Sequence, residues 1–587
     1  MKLLILLAVA LGGVYGQTIS GSIVGTVLDS SGNSIPNAAV KLQSERTGEE
    51  RSATANDAGD FLFPALQPGA YTISVEQAGF RPLRKTGNML SAAERLSVGN
   101  LTMQVGSVTE SITVAAQGVS VQTSSSENSA LIGAKQLEQI SIRGRDVVSM
   151  LRILPGVSQN VDTEFLGGSF GTGTPNIGGA RSNWNSLQVD GLTGNDLGSP
   201  SVFSSPINMD AIGEVKVLLN NYQAEYGRNG GSFINIVTKS GGREFHGSAY
   251  WYKRHETWNA NNFFNNRTNV RLPIYRYTTL GATLGGPVPM EKVWKGGKDK
   301  VFFFYSFEKS WVKNPQGVRQ VTTPSGLERQ GDFSQTIDQN GTRIPIRDPL
   351  TNANFPNNVV PASRINRNGQ ALLNIFPAPN TLDRNLTRGN FNYQFQESIN
   401  QPRNQHLFKI DLKPTQNDSI SVRGSTWWAD SLGYAVAAGS SNWGLVRQHY
   451  TYTDNGIVLN YAKILSPRMV NEFTGGARHG VEKGPPESEE ELKKVQRGPR
   501  GLTTLSQFFP GNNPLGILPQ ASFGGVPGAA AISYDGRFPL RGADTVFNFS
   551  DNLTYTLGSH TLKGGFFYER TRNYEGEQGN YGGNFNF

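Results

Sequence analysis

The residues that could carry catalytic chemistry in this sequence are few and poorly grouped. Gly167 to Gly171 match the G-x-S-x-G pattern in which a hydrolase presents a nucleophilic serine. That pattern requires an apolar strand before it and a helix after it, whereas here glycines surround the match. The six histidines are isolated, and none pairs at i, i+4 across a carboxylate as in a zinc site. We therefore expect no enzymatic activity, no metal and no cofactor.

Cysteine content and charge exclude further classes of function. The chain has 0 cysteines, which removes disulfides, lipoprotein anchoring, thiolate metal sites and cysteine catalysis. Its net charge is +8, but the basic residues are scattered among acidic ones, for example across 45–51 and 482–500. Such mixed charge is typical of solvated faces and loops, so we expect no nucleic-acid partner.

The N-terminus indicates export. Lys2 precedes an apolar run from Leu3 to Leu11, and small or modest residues stand before Gln17. Residues 1–16 are therefore interpreted as a signal peptide. The alternative, a membrane anchor, would need an apolar run of about 20 residues to cross a bilayer as a helix. No later segment is apolar over such a length, which argues against helical spans but leaves open a barrel of alternating strands.

Composition favours several mainly β domains. The chain has 587 residues, 69 glycines and 10% aromatic residues, and its apolar content is 37%. This length exceeds one ordinary domain, and this mix suits short strands joined by many turns. We predict a β-sandwich over 17–106, a linker over 107–126, an α/β unit over 127–243 and amphipathic strands over 244–587.

Residues 17–106 show short strand-like runs separated by turn residues, such as Pro68-Gly69 before a strand in which polar and apolar residues alternate. This pattern predicts a small antiparallel sandwich. The segment resembles a carboxypeptidase regulatory-like domain in two motifs: Gly25-x-Val27-x-Asp29-x-x-Gly32-x-x-Ile35-Pro36-x-Ala38-x-Val40 and Gly59-x-Phe61-x-Phe63-x-x-Leu66-x-Pro68-Gly69-x-Tyr71. The resemblance implies a transthyretin-like fold without peptidase activity, which serves as a spacer or, alternatively, binds carbohydrate.

Residues 127–243 combine one helix-like stretch, Lys135 to Leu154, with short strands and glycine-rich loops that end in the strand Ser232 to Thr238. Their motifs resemble, in order and spacing, the plug of TonB-dependent receptors: Ile140-x-Ile142-Arg-Gly-Arg-Asp146, Leu154-Pro155-Gly156-Val157, Asn176 to Asn183, Leu187-x-Val189-Asp190-Gly191, Ile212-x-Glu214-Val215-Lys216-Val217, Ala224-Glu225-Tyr226-Gly227-Arg228 and Gly230 to Gly241. The resemblance implies a domain that fills the lumen of a β-barrel.

Seven residues of these motifs are the candidate site residues of the plug: Asp190, Gly191, Glu225, Tyr226, Gly227, Arg228 and Asn235. Asp190-Gly191 suits a tight turn, and the glycines at 227, 230 and 231 would let the plug backbone approach the barrel wall. Glu225 and Arg228 either contact the wall or another part of the plug, or pair with each other on the surface.

The linker 107–126 contains one β-prone stretch: Glu110, Ser111, Ile112, Thr113, Val114, Ala115 and Ala116. It resembles a TonB box, an extended peptide that would add as a strand to the edge of the periplasmic TonB domain. Because main-chain hydrogen bonds tolerate loose side-chain identity, a strand between two domains is an equally good interpretation.

From Glu244 onward, strands of about ten residues have one apolar and one polar face, as in an outer-membrane barrel. In the clearest case five apolar residues alternate with five polar ones: Phe547, Phe549, Leu553, Tyr555 and Leu557 with Asn548, Ser550, Asn552, Thr554 and Thr556. A second predicted hairpin joins 408–413 to 420–423. A soluble β-sandwich with one solvent-exposed face would explain such alternation equally well. The resemblance of the preceding segment to a plug favours the barrel.

The barrel segment also resembles Oar-like receptors in five short motifs: Glu244 to Ala249, Leu284 to Val288, Phe302 to Phe304, Gly331 to Ser334, and Val360 to Ile365. We expect Tyr250 to Tyr252 and Trp427-Trp428 to lie in an interfacial aromatic girdle, and the polar stretch from Gln316 to Pro402 to form a large extracellular loop. About ten strands are predicted, against about 22 in plugged transporter barrels. We therefore expect either a fragment that ends within the barrel or a shortened barrel.

Together these features predict a mainly β protein of the Gram-negative outer membrane, with a transthyretin-like β-sandwich, an α/β plug and a partial antiparallel transmembrane β-barrel. The resemblance implies a TonB-dependent receptor that binds a substrate at the cell surface and imports it with energy from the TonB-ExbB-ExbD complex. The expected surroundings are outer-membrane lipid and a small-molecule, oligosaccharide or larger substrate. The alternative is a non-transporting surface adhesin or envelope-structural protein, with carbohydrate as its ligand.

Overall fold

A computed structural model of the chain describes residues 20–106, 112–115, 125–140, 142, 144–159, 172–173, 175–200, 202–204, 206–227, 229–289, 300–434, 436, 441–557, 560–576 and 579–587. Several sequence predictions fall wholly or partly outside these residues. They are the signal peptide 1–16, most of the linker 107–126 with Glu110, Ser111 and Ala116 of its β-prone stretch, residues 141 and 143 of the predicted helix, the match at 167–171, and Arg228. We refer to residues 20–115 as the sandwich, 125–243 as the plug and 244–587 as the barrel segment.

Within residues 20–106 and 112–115 the sandwich has eight strands: β1 (Gly21–Asp29), β2 (Ala39–Ser44), β3 (Glu50–Thr54), β4 (Asp60–Leu66), β5 (Gly69–Glu76), β6 (Leu83–Leu90), β7 (Arg95–Met103) and β8 (Ile112–Ala115). They form two sheets in the orders β4-β1-β7 and β3-β2-β5-β6-β8. Strand β1 runs parallel to β7, and β6 runs parallel to β8. The predicted sandwich is present, but the expectation that all its pairings are antiparallel is wrong for these two.

The alternating residues of the sandwich strands build its core. Phe61 and Phe63 project from β4 into the core, with ring centroids 5.9 Å apart. Tyr71, Ile73 and Val75 project into the same core from β5. Since successive side chains of a strand point to opposite faces, one apolar face per strand is enough to close the core between the two sheets.

The described residues of the plug form nine strands and two short α-helices: β9 (Asn128–Gly133), α1 (Ala134–Gln139), α2 (Val147–Met150), β10 (Val157–Ser158), β11 (Thr172–Gly173), β12 (Asn176–Ile177), β13 (Ser186–Val189), β14 (Leu192–Thr193), β15 (Val202–Phe203), β16 (Ile212–Asn220) and β17 (Phe233–Thr238). Five strands form the central sheet in the order β14-β13-β17-β16-β9. All six residues of β17 are buried, because this strand lies in the middle of the sheet.

The single helix predicted from Lys135 to Leu154 is wrong. Helix α1 ends at Gln139, and α2 begins at Val147 and is followed by a 3-10 turn, Leu151–Ile153. Between the helices Gly144 has φ +86° and Arg145 has φ +53°, a left-handed conformation that a right-handed helix cannot contain. No helix in the described part of the chain is long and apolar enough to cross a membrane.

In the barrel segment, the part of the chain that the structure describes has thirteen strands and four short helices: β18 (His246–His255), α3 (Phe263–Arg267), β19 (Arg276–Pro287), β20 (Val301–Pro315), β21 (Arg319–Val321), α4 (Arg367–Leu373), α5 (Arg384–Thr387), β22 (Tyr393–Phe395), β23 (Ser398–Leu412), β24 (Asp418–Gly433), β25 (Gln448–Ser466), β26 (Met469–Gly484), α6 (Glu489–Lys493), β27 (Gln520–Ser522), β28 (Leu540–Leu557), β29 (His560–Glu575) and β30 (Asn584–Asn586). Nine of these strands form one antiparallel sheet in the order β18-β19-β20-β23-β24-β25-β26-β28-β29. Among the described residues this sheet is open between β18 and β29.

The two faces of the nine-stranded sheet differ as predicted. On β28, Phe547, Phe549 and Leu553 are exposed on the outer face, whereas the asparagines and serine between them are buried. On β23, Phe408 is exposed and its neighbour Lys409 is buried against the plug. An apolar outer face and a polar inner face are typical of a barrel wall in lipid, where the strands must satisfy every backbone hydrogen bond among themselves.

The connections between these strands are short at one end of the sheet and long at the other. At the short end, 413–417 and 467–468 join neighbouring strands, whereas 316–397 and 485–539 lie at the long end. Outer-membrane barrels have short periplasmic turns and long extracellular loops. The structure thus has a long connection over 316–397, whose extracellular position stays a prediction, while residues 398–402 belong to β23.

The long connections share one hydrophobic core. Phe376 packs against Trp443 and Phe523, which come from two other connections, with ring centroids 5.6 and 5.8 Å apart. Trp427 is only 3% exposed and packs on Tyr452 in the same core, so the prediction that it belongs to an aromatic girdle is wrong. Trp251, in contrast, is 63% exposed on the outer face of the sheet.

The sandwich docks against the short-turn end of the barrel segment and against the plug. Lys413 and Glu49 form an ion pair at 2.7 Å, and Ser20 donates a hydrogen bond to Glu472. The Arg46 guanidinium donates to the carbonyl of Gly241, where the plug leads into the barrel. These contacts place the sandwich at the short-turn end of the sheet.

The outer face of the sheet can be tested with a charge at mid-strand. Ile457 lies at the centre of β25 and is 51% exposed. We expect Ile457→Arg to lower the free energy of unfolding in lipid by about 2–4 kcal/mol, because an arginine at the bilayer midplane loses its hydration. The matched control is Leu350→Arg, at a leucine in a long connection that is 80% exposed. It should change the free energy of unfolding little. Equal stabilities in urea titrations of bilayer-embedded protein would contradict a lipid-facing surface.

The ion pair between the sandwich and the barrel segment predicts a pH dependence. Burial is the largest single influence on the Glu49 carboxyl and raises its pKa, but the charges and hydrogen bonds of Lys413 and Arg51 together outweigh burial, so the pKa lies below its ordinary value. The stabilisation by Glu49 is therefore complete above about pH 4.3, the ordinary glutamate pKa, and is lost as pH falls through the lowered pKa.

We expect Glu49→Gln to destabilise the protein by on the order of 1 kcal/mol at pH 7. The difference from wild type, measured by scanning calorimetry, should shrink between pH 5 and pH 3, roughly the window around the glutamate pKa. Glu50→Gln, which removes an exposed pair with Lys41, is the control and should have little effect at any pH. A difference that grows as the pH falls would refute the assignment.

Candidate functional site

The tip of a plug hairpin reaches the inner wall of the barrel segment. Strands β13 and β14 pair antiparallel and are joined by Asp190 and Gly191, with φ +49° and +89°. Two successive residues of positive φ are typical of a type I′ turn, in agreement with the predicted tight turn. A Cβ on Gly191 would lie 2.9 Å from Cγ2 of Thr474 on β26. Glycine is therefore needed here both for the conformation and for the close approach to the wall.

The carboxylate of Asp190 is buried between two cations of the wall. Arg423 Nε on β24 lies 3.0 Å from one carboxylate oxygen, and Lys409 Nζ on β23 lies 3.6 Å from the other. The hydroxyl and the backbone N–H of Thr238 donate to the same two oxygens at 2.6 and 3.0 Å. Burial without partners would be costly for each of the three charges, so they hold the hairpin and the wall together.

The backbone of the hairpin tip is also held by wall side chains. Arg423 donates to the carbonyl of Val189 at 3.1 Å, and Asn460 donates to that of Asp190 at 3.2 Å. Asn548 donates to the carbonyl of Gly191 at 3.0 Å. The tip therefore contacts strands β23, β24, β25 and β28 through charged and amide side chains, and it lies against Thr474 of β26.

A second plug contact centres on Arg478 of β26. Its guanidinium pairs with Asp454 at 3.1 Å and donates to the Asn195 carbonyl at 2.9 Å and to the Ser204 hydroxyl. Tyr452 donates to the carbonyl of Ser204 at 3.3 Å. Arg478 is thus the buried link between the wall and the plug loop that follows the hairpin.

A third contact is made by Arg145, which sequence reasoning did not single out beyond its motif. Its guanidinium pairs with Asp210 of the plug and with Glu308 of β20, the latter at 3.2 Å. It also lies over the rings of Tyr250 and Tyr252 on β18, 4.6 and 4.7 Å from their centroids. The left-handed backbone at residues 144 and 145 is what directs this side chain to the wall, and the Arg-Gly-Arg motif was the available signal.

The other predicted plug residues fall into two groups. Glu225 reaches the barrel and pairs with Lys563 of β29 at 2.7 Å, which agrees with the plug-to-wall alternative. Tyr226 is buried within the plug, where its ring lies 5.1 Å from that of Phe233. Asn235 is buried in the middle of β17, and its Oδ1 has no hydrogen-bond partner among the described residues.

The predicted role of three plug glycines is wrong. A Cβ on Gly227 would have only the Ala224 carbonyl within 4 Å, at 3.9 Å. Those on Gly230 and Gly231 would meet Trp184 and Asn185 of the plug itself. None of the three mediates a close approach to the barrel wall.

The described part of the β-prone stretch forms a strand of the sandwich. Residues 112–115 are β8, which pairs along its whole length with β6. Thr113 and Val114 are exposed, the latter at 45%. The structure thus contains a strand between two domains here, and this arrangement is compatible with either of the two sequence interpretations.

A cavity of about 890 Å³ lies between the plug and β29. Trp184, Asn195, Asp196 and Tyr568 line it, and Glu569 of its lining accepts a hydrogen bond from Thr193 at 2.6 Å. Among the described residues no group of three histidine, cysteine or acidic side chains could hold a metal ion.

Comparison with known proteins agrees with this architecture. Three family models match the chain: a carboxypeptidase regulatory-like domain at residues 22–104, a TonB-dependent receptor plug domain at 104–232 and an outer membrane beta barrel domain at 237–587. A TonB-dependent transporter, Oar of Myxococcus xanthus, is 26% identical over 326 residues, which are 52% of this chain and 28% of that protein. The chain therefore spans less than a third of the length of this relative.

Solved structures that resemble the chain are less similar to it in sequence than this relative. The siderophore receptor PirA from Acinetobacter baumannii is 12% identical with a TM-score of 0.42, and the outer membrane transporter YddB from Escherichia coli is 8% identical with a TM-score of 0.44. Each alignment covers 76% of this chain and 48% of the other.

The barrel family model alone covers more than half of the sequence, and the plug and regulatory-like models account for most of the rest. On this basis the chain belongs to the outer-membrane β-barrel family of TonB-dependent receptors and carries an N-terminal carboxypeptidase regulatory-like domain.

Proposed function

We propose that this chain acts in the outer membrane as a TonB-dependent transporter, in which the plug closes the passage until energy from the inner membrane moves it. The observation that carries this proposal is the buried junction of Asp190 with Lys409 and Arg423. It fixes the plug against the inner wall of the sheet, where it would obstruct any solute.

The chemistry of the junction explains why external energy would be needed. Removing Asp190 from between its two cations would leave buried charges without partners, which costs about 3–5 kcal/mol for a broken pair. The contacts of Arg478 and Arg145 add to this barrier. Thermal motion alone would open such a plug rarely, whereas a directed pull could break the contacts in turn.

The position of β8 makes it the candidate point of attachment for that pull. It lies at the periplasmic end, directly before the plug in the sequence, and it is already extended. A strand of this kind can add to a sheet of the periplasmic TonB domain by main-chain hydrogen bonds. We assign the energy supply to the TonB-ExbB-ExbD complex on the same basis.

The substrate would enter from the end that carries the long connections. These share a core and present a large folded surface over the sheet, which suits recognition at the cell surface. Residues 1–16 would direct export as a signal peptide. We propose no catalytic step, since the chain belongs to a receptor and transporter family.

The coupling assignment can be tested with a proline in β8. We expect Ile112→Pro to weaken binding of the purified periplasmic domain of TonB to the detergent-solubilised chain at least roughly tenfold, because proline removes a backbone donor from the strand. The control is Ser126→Pro, at an exposed position outside any strand. Biolayer interferometry would give both affinities. Unchanged binding by Ile112→Pro would refute the assignment and favour an adhesin or structural role.

The role of the buried junction can be tested with an isosteric change. We expect Asp190→Asn to destabilise the plug by about 3–5 kcal/mol, because Lys409 and Arg423 lose their counter-charge while the shape is kept. Hydrogen exchange of residues 186–193 should become faster. Glu489→Gln, in an exposed pair with Lys493, is the matched control and should leave that exchange unchanged. Wild-type exchange rates in Asp190→Asn would mean that the charges do not hold the plug.

A further inference from the structure

Strand β8 occupies one end of the larger sandwich sheet. Its four residues pair in parallel with β6: Leu83 with Ile112, Arg84 with Thr113, Lys85 with Val114 and Thr86 with Ala115. Strand β6 pairs in turn with β5, whose residues lie in the sandwich core. The segment that carries the coupling assignment is therefore an integral fifth strand of a folded domain.

The other edge of β8 is open. Among the described residues no strand pairs with it, since the sheet order ends at β8. Thr113 is exposed, and so is Val114, at 45%. An edge strand with unpaired backbone groups and an exposed apolar side chain is a template for the addition of another strand. The outer edge of β8 is thus suited to a partner that binds by strand addition.

From these two edges we propose that the TonB domain adds its strand to the outer edge of β8 while β8 stays paired with β6. The sandwich and the TonB domain would then form one continuous sheet with β8 at the seam. This proposal rests on the assignment of β8 as the coupling strand and adds the surface on which the partner binds.

We expect β8 to stay paired with β6 because its displacement would cost hydrogen bonds. A partner that first removed β8 from β6 would break the pairing of all four residues before making its own. Addition to the outer edge breaks none of these bonds. The strand is also already extended, so less conformational entropy is lost when the partner binds.

The proposal has a mechanical consequence for the sandwich. A pull on β8 would act first on β6 and hence on the sandwich, because the two strands remain joined. The sandwich in turn is held to the barrel segment by the pair of Lys413 with Glu49 and to the plug by the Arg46 contact with Gly241. The sandwich would therefore be the first part to move when the partner pulls.

An engineered disulfide between β6 and β8 tests whether β8 must leave. Arg84 and Thr113 are exposed register partners, and neighbouring strands lie about 4.8 Å apart, within the Cα separations that a disulfide spans. The chain has 0 cysteines, so Arg84→Cys/Thr113→Cys would contain a single pair. In the full-length oxidised protein we expect the affinity for the purified TonB periplasmic domain to stay within about twofold of the reduced protein. A loss of tenfold or more on oxidation, reversed by reduction, would overturn the proposal.

A control disulfide and amide hydrogen exchange of the wild-type protein complete the test. Lys41→Cys/Ser52→Cys joins exposed register partners at the opposite end of the same sheet and controls for oxidation itself. In wild type, TonB binding should increase protection of amides 112–115 and leave that of 83–86 unchanged. Loss of protection at 83–86 would show that β8 is displaced. If neither the wild-type protein nor the reduced Arg84→Cys/Thr113→Cys variant binds TonB, the coupling assignment itself is wrong, and this proposal is wrong with it.

Discussion

The structure depends on one electrostatic constraint: two cations buried in the barrel wall share a carboxylate of the plug. Lys409 and Arg423 lie on adjacent strands, and Asp190 comes from a hairpin that is distant in sequence. In a poorly hydrated lumen none of these charges is stable alone, so plug and wall must fold as partners. The tight turn at Asp190-Gly191 and the asparagine contacts around it are arranged to make this contact possible.

Much of the fold could be predicted from the sequence because the relevant signals are local. The alternation of Phe547, Asn548 and Phe549 repeats every two residues, so one short stretch shows both the strand and its two faces. The Asp190-Gly191 turn is similarly local. Strand β8 was visible as a β-prone stretch, but its partner β6 could not be identified, since pairing depends on residues far away in the chain.

The contacts that fix the plug could be predicted only in part, for a physical reason. Nothing in the sequence near Arg145 or Arg478 indicates which carboxylate each side chain meets, because their partners are long-range. A charged residue such as Lys409 on the polar face of a predicted strand was a usable hint, since buried charges need partners. The break in the predicted plug helix was missed because helical periodicity continues through Gly144, where the backbone conformation changes.

The common core of the long connections has a consequence for how the surface of this protein can vary. Phe376 packs on both Trp443 and Phe523, and the three residues come from three connections, so these connections share one interior. Mutational drift in one should select compensating changes in the other two. Chimeras that exchange a single connection between homologues should misfold more often than chimeras that exchange all three as a set.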